Sequence, residues 1–141
     1  MEKETIGVSA CLIGINCKYN GKNNLNQRVL DFIKGKAVVF FCPEELGGLT
    51  TPRVPAEINH LGKVINEEGL DVSLNYHQGA KKTLEIIKTE GARAVILKDG
   101  SPSCGYKWIY DGNFSKTKIK GEGILFKYLA AEGITIIDLE T

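Results

Sequence analysis

The sequence has no CxxC pair, only two histidines, one tryptophan and one methionine, and no surplus of either charge. Each shortage excludes something. Structural zinc sites usually draw four ligands from closely spaced CxxC pairs, and here the nearest cysteines, Cys11 and Cys17, are too far apart for that motif. His60 and His77 are read as surface residues, and neither is matched to a thiol, so nothing suggests a cysteine-protease pair. Eighteen basic against 17 acidic residues give a net charge of +1, which sets up no strong field for nucleic acid or a membrane surface. Apolar runs such as Ala37 to Cys42 fall far short of the roughly 20 residues a membrane span needs. The opening MEKETIGVSACL carries no apolar signal core, so a cytoplasmic protein is expected. GGLTTPR lacks the GxxxxGK pattern of a phosphate loop; Gly47 and Gly48 more simply let backbone pass close by.

What is present suits one compact domain over residues 1–141, with 43% hydrophobic and 25% charged residues. TIGVSA (Thr5 to Ala10) reads as a buried strand. LNQRVLDFIK follows as a helix, with Asn24 as its cap and Gly35 as its stop. AVVFFC (Ala37 to Cys42) lacks polar alternation, as in a strand covered on both faces. AEINHLGKVINEEGLDVSL reads as a two-stranded excursion turning near Gly62. A helix then starts near Ser73, buries Ala80, Leu84, Ile86 and Ile87, and stops at Gly91. ARAVILK (Ala92 to Lys98) is a third strand. The stretch from Asp99 to Phe114 is a long loop, GEGILFKYLAAEG a helix, and ITIIDLE a last strand. Strands alternating with helices imply an α/β, Rossmann-like, three-layer domain. Its mostly parallel sheet has about four main strands, helices on both faces, and a small hairpin excursion.

In such sheets ligands bind beyond the carboxyl ends of the strands. Cys11 follows the first strand, Cys42 ends the second, and Cys104 lies in the loop after the third. Any one free cysteine is ordinarily a small core residue. Three converging on one sheet edge instead suggest a soft metal site or a catalytic thiol set. Three thiolates leave one coordination position free, which suits catalysis, yet the count does not separate an iron–sulfur cluster from zinc. Cys17, on a loop read as moving away from the strand end, is expected to stay outside the ligand set. Glu44 and Glu45 directly follow Cys42, and Ser101 and Ser103 flank Pro102 before Cys104. A carboxylate and a hydroxyl beside a metal site are candidate proton carriers; CPEE and SPSC are also ordinary polar turns. Arg53, between Pro52 and Pro55, is placed to meet a substrate carbonyl or a neighbouring acid. Trp108 and Tyr110 offer stacking surfaces for a planar base, though loop packing is the commoner role.

Taken together, VSACLIGINCKYNG, CPEELGGLTTPRVPAEI, ILKDGSPSCG and IYDGNFS resemble the thiouracil desulfidase (TudS) family, long catalogued as a small domain of unknown function. The resemblance runs in order from Val8 to about Gly133. It implies a 4Fe-4S cluster on three cysteines, which map onto Cys11, Cys42 and Cys104, with one iron left open. It also implies a catalytic glutamate and serine, best matched by Glu44 and Ser101 with Glu45 and Ser103 close by. The implied reaction is redox-neutral: water replaces the sulfur of a small thiolated base such as 2-thiouracil, and hydrosulfide leaves. Relatives acting on thiolated tRNA carry an added domain that is not seen in this sequence, which favours a free base as substrate. A homodimer is left open. Lys18 and Asn20 stand where the family often has Arg and Asp. The rival readings are a zinc- or redox-type thiol enzyme on the same cysteines, and a non-catalytic metal or sulfur carrier.

Overall fold

The computed structural model describes residues 4–141. Met1, Glu2 and Lys3, which belong to the stretch read for a signal core, lie outside the described residues. The central sheet is formed by β1 (Thr5–Ser9), β2 (Ala37–Phe41), β5 (Ala94–Ile96) and β8 (Thr135–Ile136), in the order β2-β1-β5-β8. All three pairings are parallel. The α/β reading of the sequence thus holds. Two small antiparallel hairpins stand apart from the sheet: β3 (Ala56–Ile58) with β4 (Val64–Asn66), and β6 (Trp108–Tyr110) with β7 (Lys118–Lys120).

Parallel strands must return through crossovers, so the sheet is covered on both faces. On one face Ile6 and Val8 of β1 and Ile96 of β5 meet Val29 of α1 (Gln27–Ile33). On the other, Val95 and Leu97 pack with α3 (Ser73–Thr89) and α4 (Ile124–Ala131). The buried row of α3 is Tyr76, Ala80, Thr83 and Ile87, a stripe at helical spacing. Leu84 and Ile86, expected inside, are only half-buried. Leu125 and Leu129 of α4 lie one turn apart and fully inside; burial of each contributes about 1.5–3 kcal/mol.

Three details depart from the sequence reading. β2 is an edge strand, and Phe40 is 55% exposed; an apolar run alone does not reveal that one flank is open. Asn26, not Asn24, caps α1, its side chain accepting from the N–H groups of Arg28 and Val29. The loop from Asp99 to Phe114 contains β6. No helix of the described residues is long and apolar enough to cross a membrane.

A short helix, α2 (Pro43–Leu46), directly follows β2 and leans on α3. The approach is close because both contact points are glycine. A Cβ on Gly79 would lie 1.9 Å from the Pro43 carbonyl oxygen, and one on Gly47 would lie 2.0 Å from that of Asn75. Both obstacles are backbone, so a side chain forces the elements apart. Gly79→Ala should cost about 1–3 kcal/mol, the usual overpacking penalty, read as a lower urea midpoint at unchanged slope.

Candidate active site

The parallel sheet sends the ends of β1, β2 and β5 to one edge, as the topology requires. β1 runs into a 3-10 turn (Ala10–Ile13) that carries Cys11. β2 ends at Phe41, so Cys42 becomes the residue that opens α2. β5 leads into Lys98 and Asp99 and on to Cys104. A cavity of about 550 Å³ lies over this edge, with Cys11, Cys42, Cys104 and Glu44 on its wall. The β3 and β6 hairpins form its far side. Glu57 ties them together, accepting from the N–H groups of Gly112 (3.0 Å) and Phe114 (3.1 Å).

Cys17 departs from expectation. Rather than leaving the strand end, it returns to the cavity, is 3% exposed, and lays its thiol against those of Cys11 and Cys42. Arg53 explains the return: its guanidinium donates to the Cys17 carbonyl at 2.8 Å and to Thr51 Oγ1 at 2.9 Å. The Arg53 N–H also bonds the Tyr19 carbonyl at 2.7 Å. The stiff proline-flanked segment therefore clamps the cysteine loop, and Arg53 stands on the cavity wall bonded to the Cys17 carbonyl and to Thr51.

The thiols differ in surroundings. Cys11 Sγ receives the Cys17 thiol and the Asn24 side-chain amide at 3.4 Å. These donors hold its pKa down to about 7 although burial pushes the other way. Cys104 is buried, and desolvation raises its pKa to about 12 despite donation from the Ser9 and Ser103 hydroxyls, each at 3.5 Å. Cys42 faces acceptors: the Cys17 carbonyl at 3.7 Å and Glu44 Oε2 at 3.6 Å. The neighbouring Cys11 and Cys42 thiols, with burial, push the Cys17 pKa up. Among the described residues no three His, Cys, Asp or Glu side chains group as a single-ion site. The edge offers soft sulfur donors, those of Cys11 and Cys104 met by hydrogen-bond donors, a chemistry that fits an iron–sulfur cluster.

Glu44 is 8% exposed and lies between two of these elements. Its Oε1 accepts from Ser103 Oγ at 2.5 Å. Ser103 Oγ is 3.2 Å from Ser101 Oγ, which accepts the Cys104 N–H at 2.7 Å. Ser101, Ser103 and Glu44 thus form a chain of polar oxygens along the cavity wall. Glu45, one residue on, turns out to solvent and accepts from Thr51 Oγ1. Asp99 shapes the turn that holds both serines: its Oδ1 accepts from the N–H groups of Gly100 (2.9 Å), Tyr106 (2.9 Å) and Lys107 (3.1 Å).

Trp108 lines the cavity but is also a packing residue. It lies so close to Gly100 that a Cβ there would come within 2.3 Å of the ring, and the Lys118 ammonium stands 4.3 Å over its centroid. Tyr110 meets it edge-on. His60 is exposed, and His77 bonds Tyr128 on α4 at 2.9 Å. Sequence reasoning missed Ser9, Asn24 and Lys98. Lys98 is half-buried at the cavity and bonds the Asp99 carbonyl at 2.8 Å. It forms no ion pair among the described residues. Desolvation lowers its pKa. The available signal was position: each follows or faces a strand end.

These environments predict thiol reactivity in the metal-free protein. With a pKa of about 7, Cys11 should be about half ionised at pH 7, and only the thiolate is nucleophilic. Brief iodoacetamide treatment of native protein at pH 7, read by peptide mass spectrometry, should modify Cys11 first and leave Cys104 intact until the protein unfolds.

The chain is similar to known proteins over nearly its full length. The family model described as 2-thiouracil desulfurase matches residues 6–141. The uncharacterized protein YbbK of Bacillus subtilis (strain 168) is 43% identical over 139 residues, 92% of each chain. A solved structure, the 4Fe-4S-dependent thiouracil desulfidase TudS, superposes with a TM-score of 0.89 at 40% identity, covering 98% of this chain and 92% of that one.

Proposed function

The chain belongs to the 2-thiouracil desulfurase family, and from that premise we propose that it is a 4Fe-4S-dependent desulfidase, one domain over residues 1–141, acting on a small thiolated base such as 2-thiouracil. The reaction balances without an oxidant or reductant: water and the thiocarbonyl give a carbonyl and hydrosulfide with a proton. Cys11, Cys42 and Cys104 would hold the cluster, one from each of three strand ends. With three protein ligands, such a cluster supplies an open iron, a Lewis acid for the substrate's sulfur.

The remaining work falls to side chains of this protein. Glu44 takes the proton of the attacking water. Its carboxylate is held by the Ser103 hydroxyl at 2.5 Å and faces the same cavity as the thiols. Ser101, 3.2 Å from Ser103, extends that hydrogen-bonded chain and passes a proton along it. Lys98 places a positive charge near Cys11. The single observation that carries the reading is the buried Glu44 carboxylate beside Cys42 and against the serine turn of Cys104. Reduced thiols and an open cluster suit the cytoplasm.

The test is anaerobic reconstitution with iron and sulfide, followed by incubation with 2-thiouracil and measurement of uracil and sulfide. A brown protein that releases both supports the proposal. A colourless protein with stoichiometric zinc would favour the thiol-enzyme reading. A cluster-loaded protein that turns over no thiobase would make it a carrier.

A further inference from the structure

Tyr76 is a buried tyrosine that the mechanism does not use. It lies on the inward row of α3, is 4% exposed, and belongs to the core cluster that includes Phe41, Ala80 and Cys104. Its hydroxyl makes no hydrogen bond to the described residues. Among those residues, the one side-chain polar atom both enclosed and without a partner is Asp99 Oδ2. The Tyr76 hydroxyl is therefore not sealed in the core. It opens on the cavity that Tyr76 lines together with Cys42, Glu44 and Cys104. The seating of α2 on α3 fixes this placement. The Asn75 side-chain amide donates to the Gly47 carbonyl at 2.9 Å, and Gly79 meets the Pro43 carbonyl too closely for a Cβ. Tyr76 stands between these two anchors, beside the short helix that carries Glu44. Phenylalanine would fill the same apolar space. A hydroxyl held inside a protein without a partner costs stability, so a bound ligand accounts for the oxygen.

We propose that Tyr76 is a substrate-contacting residue whose O–H donates to the ring carbonyl oxygen of the bound thiobase. The inference rests on the desulfidase reading given above. In that reading the ring of 2-thiouracil offers two acceptors outside the ring nitrogens, its sulfur and one carbonyl oxygen. The sulfur goes to the metal, and Glu44, itself an acceptor, faces the attacking water. The carbonyl oxygen is left for a donor. A tyrosine titrates near ~10 when free, so the hydroxyl carries its proton at neutral pH. Tyr76 then favours rings that bear a carbonyl as well as a thiocarbonyl, and it holds the ring in one orientation toward Glu44.

The experiment compares anaerobically reconstituted wild type with Tyr76→Phe, which deletes only the oxygen. Three quantities are read: iron per chain, the melting temperature, and the calorimetric Kd for uracil and for pyrimidin-2-one, the same ring without the second carbonyl. Both proteins should carry full iron. Tyr76→Phe should melt at or above wild type, because no internal hydrogen bond is lost. Uracil should bind Tyr76→Phe about 2- to 10-fold more weakly, the loss of one neutral hydrogen bond, whereas pyrimidin-2-one should bind both proteins alike. With 2-thiouracil the change should appear in KM, with kcat within a few-fold of wild type. Equal uracil affinity in the two proteins, beside normal turnover by wild type, would overturn the proposal alone. A lower melting temperature in Tyr76→Phe, with both bases weakened equally, would make the hydroxyl structural and overturn it as well. A cluster-loaded wild type that binds neither base and turns over no thiobase would remove the desulfidase reading and the proposal with it.

Discussion

Glu44→Gln should lower desulfidation by about 100- to 10,000-fold, the usual cost of losing a general base, while iron content stays at the wild-type level. Glutamine keeps the shape of the side chain and can still accept from Ser103, whose hydroxyl lies 2.5 Å from Glu44 Oε1. What it loses is the ability to take a proton. The buried position makes the loss hard to repair, because bulk water does not readily substitute at an 8% exposed side chain. Ser101→Ala should cost less, since a water can take over part of a hydroxyl relay, and Ser103 remains beside Glu44. The measurement is cluster content and uracil formation, side by side, in each variant. Near-normal turnover with a full cluster in Glu44→Gln would clear Glu44 of the role. Loss of iron together with activity would make it structural. Glu45 serves as the control: it is exposed and turned to Thr51, so Glu45→Gln should leave turnover within a few-fold of wild type.

The second large effect is expected at Cys104. Cys104→Ser should abolish the visible absorbance of the reconstituted protein and all turnover. Serine is nearly isosteric, so the fold should persist. Its oxygen, however, is a hard and weakly acidic donor where iron–sulfur chemistry needs a soft thiolate. The site cannot compensate from nearby. Cys104 is 4% exposed, and its neighbours Ser9 and Ser103 already present hydroxyls. Circular dichroism should overlay that of wild type, and iron analysis should read near zero. A Cys104→Ser protein with a full cluster would strike Cys104 from the ligand set. Cys42→Ser is expected to behave likewise, with the further loss of the Cys42–Glu44 contact.

Much of this site is legible in the amino-acid sequence. A β run, a helix and another β run force parallel strands and a common carboxyl edge, so Cys11, Cys42 and Cys104 could be assigned to one side of the domain from their order alone. The four motifs carried the family with equal clarity, because each lies on a loop at that edge. Where the reading failed, the cause was a contact distant in sequence. Cys17 was read as leaving the site because a loop of CKYNGKNN composition has no periodicity to say where it goes. Arg53, thirty-six residues away, decides that. Asn24 looked like a helix cap and proved to be a donor to Cys11, with Asn26 taking the cap. Both asparagines precede the same helix, and local sequence does not rank them.

The sequence by itself determined the class of fold, the edge on which the chemistry gathers, and the sulfur character of that chemistry. These depend on periodicity, chain order and residue type, all of which are local or topological. Only the tertiary structure decided which carboxylate and which hydroxyl meet. Glu44 and Glu45 are neighbours with identical side chains, and only the close seating of α2 on α3, at Gly47 and Gly79, turns the first inward and the second to solvent. In the same way, Ser103 rather than Ser101 touches the carboxylate because Asp99 gathers four backbone N–H groups and sets the turn. Side-chain direction at a loop is fixed by what packs against it, and that information is spread over the whole chain.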